Sequence, residues 1–151
     1  MSGPRTVLFL CTGNYFRSRF LEEMFNHWAR RLDLPWQAQS RGLMRDMAAL
    51  KAQNVGRISP HTLHALAIRG VRCQSGGRWP QPVQCEDFAQ AHRVIAVKEV
   101  EHRPMMEKHF PDLVARVEFW AIDDIDVASP EVGVKQAEQR LLHLIQEIRR
   151  G

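Results

Sequence analysis

The segment best suited to chemistry is a short run from Cys11 to Ser18, with Arg17 six positions after the cysteine. A cysteine thiolate is a strong nucleophile, and the planar guanidinium of an arginine can bind two phosphoryl oxygens at once. Amides in a closed loop and at a helix start attract anions and favour the thiolate. The spacing therefore predicts a phosphate-binding loop in which Cys11 attacks phosphorus and Arg17 binds the phosphoryl group.

The other residues of the loop suit the same purpose. Asn14 tolerates a left-handed backbone and can hydrogen-bond within the loop, and Ser18 can donate a hydrogen bond to the thiolate. An isolated cysteine after a strand is more often a buried and inert side chain, but its combination with these neighbours favours the catalytic interpretation. The predicted phosphate-binding residues are Thr12, Gly13, Asn14, Tyr15, Phe16, Arg17 and Ser18.

Strands and helices must position this loop, and the hydrophobic pattern predicts both. Apolar runs rich in β-forming residues predict strands at 6–10, 37–40, 94–97 and 117–120. Helical periodicity predicts helices at 17–32 and 130–149, and a third one that starts at Ser59-Pro60 and ends at Gly70. Weaker patterns favour an irregular helix at 44–55, a helical turn at 86–91 and a helix at 99–109 that is interrupted near Pro104.

Alternation of strands and helices predicts an α/β fold, a single-domain doubly wound sheet of four parallel strands with helices on both faces. The phosphate loop falls between the first strand and the first helix. Such sheets bind their ligands at the carboxyl ends of the strands, which is where this loop lies.

Composition limits the function classes. The 151 residues, 44% of them hydrophobic, suit one domain over residues 1–151. We expect a cytoplasmic protein without a membrane partner, since no apolar run reaches the length of a membrane span and no signal peptide is recognisable. The net charge of +4 comes from scattered basic residues, which favours phosphate- or sulfate-type anions over nucleic acid.

Cysteines and histidines give no sign of a metal or a disulfide framework. Cys11, Cys73 and Cys85 form neither an even set nor a CxxC pair. The histidines, among them His61 and His102, lack accompanying ligands at recognised spacing, so we interpret them as surface or structural residues and expect no metal.

The string CTGNYFRS directly after an N-terminal strand resembles the low-molecular-weight protein tyrosine phosphatase family, and Cys-x5-Arg-Ser is the signature of cysteine-dependent phosphatases. The resemblance extends over essentially the whole chain, including its length and an acidic segment after a tryptophan near the C-terminus. It implies hydrolysis of phosphate monoesters through a phosphocysteine intermediate on Cys11, with phosphotyrosine on proteins as the expected substrate. A small-molecule phosphate ester is the other substrate class, and no cofactor is implied.

The resemblance also implies a general acid after Trp120. Ester hydrolysis requires a proton for the departing oxygen and later a base for water, and one carboxyl group can provide both. Counting from Trp120 selects Asp124, with Asp126 as the alternative, although Ile125 replaces the usual proline. Without the cysteine loop, the same acidic run would be interpreted as a solvated segment before a helix.

Of three further positions with a known counterpart in the family, one matches the family pattern and two depart from it. Ser40 matches a serine that braces the loop asparagine, so we expect a supporting role. Phe16 stands where many members have a second cysteine that can form a disulfide with the nucleophile. The sequence Ser75-Gly76-Gly77-Arg78 replaces a His-x-x-Arg element, so the role of that histidine is missing or supplied elsewhere.

The walls of the substrate site also depart from the family. Val127 and Ala128 replace aromatic residues that often line the substrate groove. Tyr15 or Trp79 can provide an aromatic wall instead, although a tryptophan in a Gly/Pro-rich segment is more often a loop anchor.

Two other functions compete with phosphate ester hydrolysis. A non-catalytic module could retain the loop and bind a phosphorylated partner. A thiol-dependent arsenate reductase would share the loop but needs two more cysteines around the end of the third strand, where this chain has Ala96, Val97 and Lys98. The absence of cysteine there disfavours the reductase.

Overall fold

A computed structural model describes residues 3–151 of the chain. Its strands are β1 (Arg5–Cys11), β2 (Trp36–Gly42), β3 (Arg93–Ala96) and β4 (Val117–Phe119). Its helices are α1 (Arg17–Arg31), α2 (Met47–Gln53), α3 (Pro60–Ala67), α4 (Cys85–Gln90), α5 (Glu99–His109) and α6 (Pro130–Arg150), with a 3-10 turn at Pro111–Arg116. The four strands pair in parallel in the order β2-β1-β3-β4, which confirms the predicted α/β fold.

Strand β1 is buried on both faces of the sheet. Val7 and Phe9 point into a core formed with α1, α3 and α6, whereas Leu8 and Leu10 point into a second core formed with α4 and α5. A strand covered by helices on both sides needs apolar residues at every position, which explains the continuous run in the sequence. Cys11 ends this strand, so the sheet fixes the position of its backbone.

The helices begin and end as their sequences indicate. Ser59 caps α3 by accepting a hydrogen bond from the His61 amide at 3.1 Å, and Pro60 occupies the first turn. Gly70 follows α3 with φ of 68°, a left-handed conformation that glycine adopts without strain. No helix among residues 3–151 has the length and apolar character needed to cross a membrane.

The interruption predicted near Pro104 is wrong, because α5 is continuous from Glu99 to His109. Proline removes one amide donor, and the acceptor four residues earlier is the carbonyl of Val100. Val100 is 78% exposed, so water can bond to that carbonyl and the helix continues. The segment predicted as an irregular helix at 44–55 forms the shorter helix α2, none of whose residues is buried.

Candidate active site

The nucleophile candidate Cys11 lies at the junction between β1 and the loop that leads into α1. Its residue is 3% exposed, and its Sγ lies 3.0 Å from Ser18 Oγ. A serine hydroxyl can rotate to donate to a thiolate, and the N-terminus of α1 adds a positive electrostatic potential. The structure thus brings Cys11 and Ser18 into direct contact.

The loop presents its carbonyl groups outward. Four of its carbonyl oxygens accept hydrogen bonds from backbone amides that lie after the loop in sequence. The amide-to-carbonyl pairs are Leu43 to Cys11, Met44 to Thr12, Ser59 to Tyr15 and Phe20 to Phe16. Within residues 3–151, no amide of residues 12–16 donates to another protein group. Unpaired amides in a tight loop before a helix form an anion-binding concavity.

Asn14 holds the loop from inside. It is fully buried, and its φ of 51° is the left-handed conformation that asparagine tolerates. Its Nδ2 donates to Ser18 Oγ at 3.0 Å and to Ser40 Oγ at 2.9 Å, and its Oδ1 accepts from the Gln81 amide at 3.0 Å. Ser40, the predicted supporting residue, therefore connects to Cys11 through Asn14 and Ser18.

A partly buried ion pair extends this network. Ser40 donates to Glu22 and accepts from Arg78 Nη2 at 3.0 Å, while Arg78 forms two contacts with Glu22 at 2.9 and 3.1 Å. The element Ser75-Gly76-Gly77-Arg78 thus connects to the loop through its arginine. Ser75, which stands where the family has a histidine, instead bonds to Glu23 through its amide at 2.9 Å and its hydroxyl.

Arg17 is almost completely buried, with 3% exposure, and it lines the same pocket as Cys11. Nη1 donates to the Ile122 carbonyl at 3.1 Å, and Nη2 donates to Glu101 and to Asp124 Oδ2 at 3.3 Å. Burial opposes the charge, but attraction from Cys11, Glu101 and Asp124 outweighs it and raises the pKa of Arg17. Arg17 therefore remains a cation inside the site.

Glu101 on α5 is a site residue that the sequence did not reveal. Its Oε2 accepts from Thr12 Oγ1 at 2.7 Å, from His102 Nε2 at 2.8 Å and from Arg17. Burial opposes its ionisation, but these hydrogen bonds and the charge of Arg17 hold the pKa of Glu101 well below its usual range. Glu101 is thus a permanent carboxylate next to Arg17.

His102 orients that carboxylate. Its Nδ1 accepts from the Lys98 amide at 3.1 Å, so in the neutral ring Nε2 carries the proton and donates to Glu101. The residue is fully buried, and this burial lowers the pKa of His102 despite the nearby carboxylate. His102 is therefore not a surface histidine. The available signal was its place in the first turn after β3, at the same sheet edge as the loop.

The acidic segment divides into residues with different surroundings. Asp124 lines the same pocket as Cys11 and has a side chain 33% exposed. Asp123 pairs with Lys98 at 2.7 Å and bonds to Gln136, and these contacts lower the pKa of Asp123. Asp126 is exposed and does not line the pocket. Of the two acid candidates, the structure brings only Asp124 to Cys11 and Arg17.

The pocket has a volume of about 400 Å³, within the range of small-molecule sites. Cys11 and Arg17 lie at its polar base, and its walls include Tyr15, Leu50, Asn54, Val55, His61 and Ile125. Tyr15 Oη donates to the Val55 carbonyl, so the ring is fixed as part of the wall. Trp79 lies outside the lining, as do Val127 and Ala128.

Comparisons with known proteins agree with this geometry. Residues 6–150 match the family described as low molecular weight phosphotyrosine protein phosphatase. No curated protein matches the chain significantly.

Solved structures show the same fold at low sequence identity. The low molecular weight protein tyrosine phosphatase from T. tengcongensis is 23% identical, with a TM-score of 0.74 and coverage of 97% of this chain and 98% of its own. YfkJ from Bacillus subtilis is 18% identical, with a TM-score of 0.81 and coverage of 99% and 97%. Vibrio vulnificus Wzb, solved with benzylphosphonate, is 16% identical, with a TM-score of 0.71 and coverage of 99% and 100%.

The family match spans nearly every described residue, including the loop from Cys11 to Ser18 and the segment with Asp124. The parallel sheet order and the location of the pocket at the carboxyl ends of the strands fit the same class of cysteine-dependent phosphatases. The chain belongs to the low molecular weight phosphotyrosine protein phosphatase family.

Proposed function

We propose that this protein hydrolyses phosphate monoesters, and phosphotyrosine on proteins in particular, through a phosphocysteine intermediate on Cys11. The observation that carries this proposal is the convergence of Cys11, Arg17 and Asp124 in one open pocket, above a loop whose amides are unpaired. These are the three groups that phosphoryl transfer to a thiolate requires: a nucleophile, a cation for the phosphoryl oxygens, and a proton donor.

In the first step, the Cys11 thiolate attacks phosphorus and the bond between phosphorus and the ester oxygen breaks. Asp124 in its protonated form transfers its proton to the departing oxygen, so the product is a neutral alcohol or phenol. Arg17 and the loop amides bind the phosphoryl oxygens, where charge is distributed in the transition state. Ser18, at 3.0 Å from Sγ, stabilises the thiolate before attack.

In the second step, water displaces Cys11 from phosphorus. The Asp124 carboxylate left by the first step accepts a proton from water as the water oxygen attacks, and the bond between sulfur and phosphorus breaks. The products are inorganic phosphate and the regenerated thiolate. The two steps together consume one water molecule and one ester, and all of their groups belong to this chain.

The pocket walls support an aromatic leaving group. Tyr15, Leu50, Val55 and Ile125 surround the polar base, and the lining is mainly apolar. A phenyl ring buries its faces well against such side chains, whereas a charged or strongly polar leaving group would lose hydration there. The benzylphosphonate bound by Vibrio vulnificus Wzb combines an aromatic ring with a phosphate-like group in the same way.

The test is turnover of p-nitrophenyl phosphate in EDTA by wild type, Cys11→Ser, Asp124→Asn and Asp126→Asn. We expect no turnover for Cys11→Ser and a fall in kcat of roughly 10²- to 10⁴-fold for Asp124→Asn, the usual contribution of general acid catalysis. Asp126→Asn is the matched control, since Asp126 is exposed outside the pocket. Full activity of Cys11→Ser, or a loss confined to Asp126→Asn, would contradict this mechanism.

The two rival functions predict other results. A non-catalytic module would bind phosphate or vanadate without turnover. An arsenate reductase would turn over arsenate with thioredoxin, and it would need Cys73 and Cys85 close to Cys11. Neither Cys73 nor Cys85 lines the pocket that contains Cys11, which favours hydrolysis.

A further inference from the structure

One wall of the pocket is formed by a segment with very little packing of its own. Leu50, Asn54 and Val55 line the pocket, yet helix α2, to which Leu50 belongs, has no buried residue. An isolated helix of seven residues is unstable in water, because the cost of nucleation exceeds the gain from so few hydrogen bonds. Contacts from other parts of the molecule must therefore hold this wall.

Tyr15 bonds to the Val55 carbonyl, and two further contacts on this segment converge on Trp79. The Lys51 ammonium lies 4.0 Å from the centroid of the Trp79 ring, and the Arg57 guanidinium lies 4.9 Å from it. Lys51 lies within the wall at residues 50–55, and Arg57 follows it by two residues. We call Trp79, Lys51 and Arg57 the Trp79 cluster. No carboxylate in residues 3–151 forms an ion pair with either cation. Lys51 therefore has the indole as its partner, whereas Arg57 also donates from Nη1 to the Gly77 carbonyl at 2.8 Å.

The turn that carries Trp79 is itself anchored to α1. Arg19 is fully buried, and its Nη2 donates to the carbonyls of Ser75 at 2.7 Å and of Arg78 at 3.1 Å. Its Nη1 donates to the carbonyls of Asn14 at 3.3 Å and of Arg57 at 3.1 Å. One buried guanidinium thus joins the phosphate loop, the end of the wall and the turn before Trp79.

We propose that Trp79 is a positioning residue that determines how the pocket binds the leaving group of the substrate, by fixing the wall at residues 50–55 through Lys51 and Arg57. Trp79 does not line the pocket, so it acts through these two residues. The phosphoryl group is held by the loop and Arg17. Within residues 3–151, no hydrogen bond or ion pair joins the side chains of the Trp79 cluster to either of them, and the link to the loop runs through Arg19 and the Arg57 backbone. Loss of the indole should therefore weaken binding of the aromatic part of a ligand and leave binding of the phosphoryl part unchanged.

The role assigned to Trp79 rests on the proposed function, since the wall matters only if the pocket binds a phosphate ester. Two probes separate the parts of the site: inorganic phosphate, which reaches only the loop, and phenylphosphonate, which also reaches the wall. Their dissociation constants can be measured by calorimetry for wild type, Trp79→Ala, Trp79→Phe and Trp36→Ala. Trp36 is the matched control, a half-buried tryptophan under Arg5 at the amino end of β2, far from the pocket.

We expect Trp79→Ala to raise the dissociation constant of phenylphosphonate about fivefold and that of inorganic phosphate less than about twofold. The fivefold change corresponds to the free energy of two exposed cation–π contacts. Trp79→Phe keeps a ring face for both cations and should restore phenylphosphonate binding to within about twofold of wild type. Trp36→Ala should leave both constants unchanged. Equal weakening of both probes by Trp79→Ala, or no weakening of either, would overturn the role of Trp79.

A second measurement does not depend on ligand binding. Chymotrypsin can cleave after Leu50 only when the wall detaches from the molecule, because Leu50 is half-buried against Gly13. Trp79→Ala should raise the initial rate of this cleavage about fivefold, and Trp36→Ala should not. An unchanged rate would overturn the proposal. If wild type bound neither probe, the proposed function would fail, and the cleavage rates would still decide whether Trp79 fixes the wall.

Discussion

At the scale of single residues, the partners of Arg17 divide between two tasks. Glu101 also accepts hydrogen bonds from Thr12 and His102, so three donors fix its carboxylate beside Arg17. Asp124 lies at 3.3 Å from the same guanidinium nitrogen and is one-third exposed, so its contact is looser. Glu101 is suited to orient Arg17, and Asp124 is free to turn toward a leaving oxygen.

Replacing Glu101 by glutamine tests this division. Glu101→Gln keeps the size of the side chain but removes the charge that orients Arg17, and a charge-assisted hydrogen bond of this kind contributes about 1.5–3 kcal/mol. We expect kcat for p-nitrophenyl phosphate to fall at least about tenfold. The control is Glu99→Gln on the same helix, whose partner Arg103 is exposed. Equal kinetics of wild type and Glu101→Gln would rule out an orienting role.

The buried His102 predicts a loss of stability in mild acid. The pKa of His102 is lowered from 6.5 in the folded protein, so the unfolded chain binds a proton more readily and the free energy of unfolding falls as pH drops below 6.5. The pKa of Glu101 is also lowered, from 4.5, so a further loss follows below that pH. Urea denaturation from pH 7 down to about pH 2 measures the first loss and most of the second.

The His102→Asn variant should show a flatter pH dependence between pH 6.5 and 5, because the titrating ring is gone while Oδ1 can still accept from the Lys98 amide. His64→Asn, at an exposed position on α3, is the control and should follow wild type. A wild-type free energy of unfolding that rises on acidification through this range would contradict the burial argument.

At the scale of elements, local patterns revealed what local interactions determine. The apolar run of β1 and the capping sequence Ser59-Pro60 predicted a strand and a helix, since packing and capping act within a few residues. The loop from Cys11 to Ser18 was recognisable because all its groups lie close together in sequence. Glu101 was not recognisable as a site residue, because it is 84 positions from Arg17 in sequence and no local pattern specifies their contact.

The contact between α6 and the acidic segment gives a prediction at this scale. A Cβ on Gly133 would lie 2.6 Å from the Asp123 carbonyl oxygen, so Gly133→Ala must displace the backbone next to Asp124. Alanine favours the helix itself, so the effect should appear in catalysis. We expect kcat to fall about tenfold, since displacements near 1 Å can cost about 10²-fold. Val132→Ala, exposed on the same helix, should behave as wild type.

At the scale of the whole molecule, the pocket is assembled from segments far apart in sequence. Cys11 follows β1, Leu50 lies on α2, His61 on α3 and Asp124 between β4 and α6. Only the complete sheet with its helices brings them together, so the pocket exists only when the whole fold forms. The single-domain organisation and the cytoplasmic location remain predictions from the sequence.

The unpaired amides of residues 12–16 have a consequence for the melting behaviour of the protein. An anion that binds them binds only the folded chain, so phosphate at 100 times its dissociation constant should add about 2.7 kcal/mol to the free energy of unfolding. Calorimetry in phosphate, compared with chloride at equal ionic strength, measures this gain. Arg17→Met should abolish this gain in stability, and Arg103→Met should retain it. Equal melting temperatures of the wild type in both salts would refute anion binding by the loop. The thermal transition would then report occupancy of the loop without any turnover.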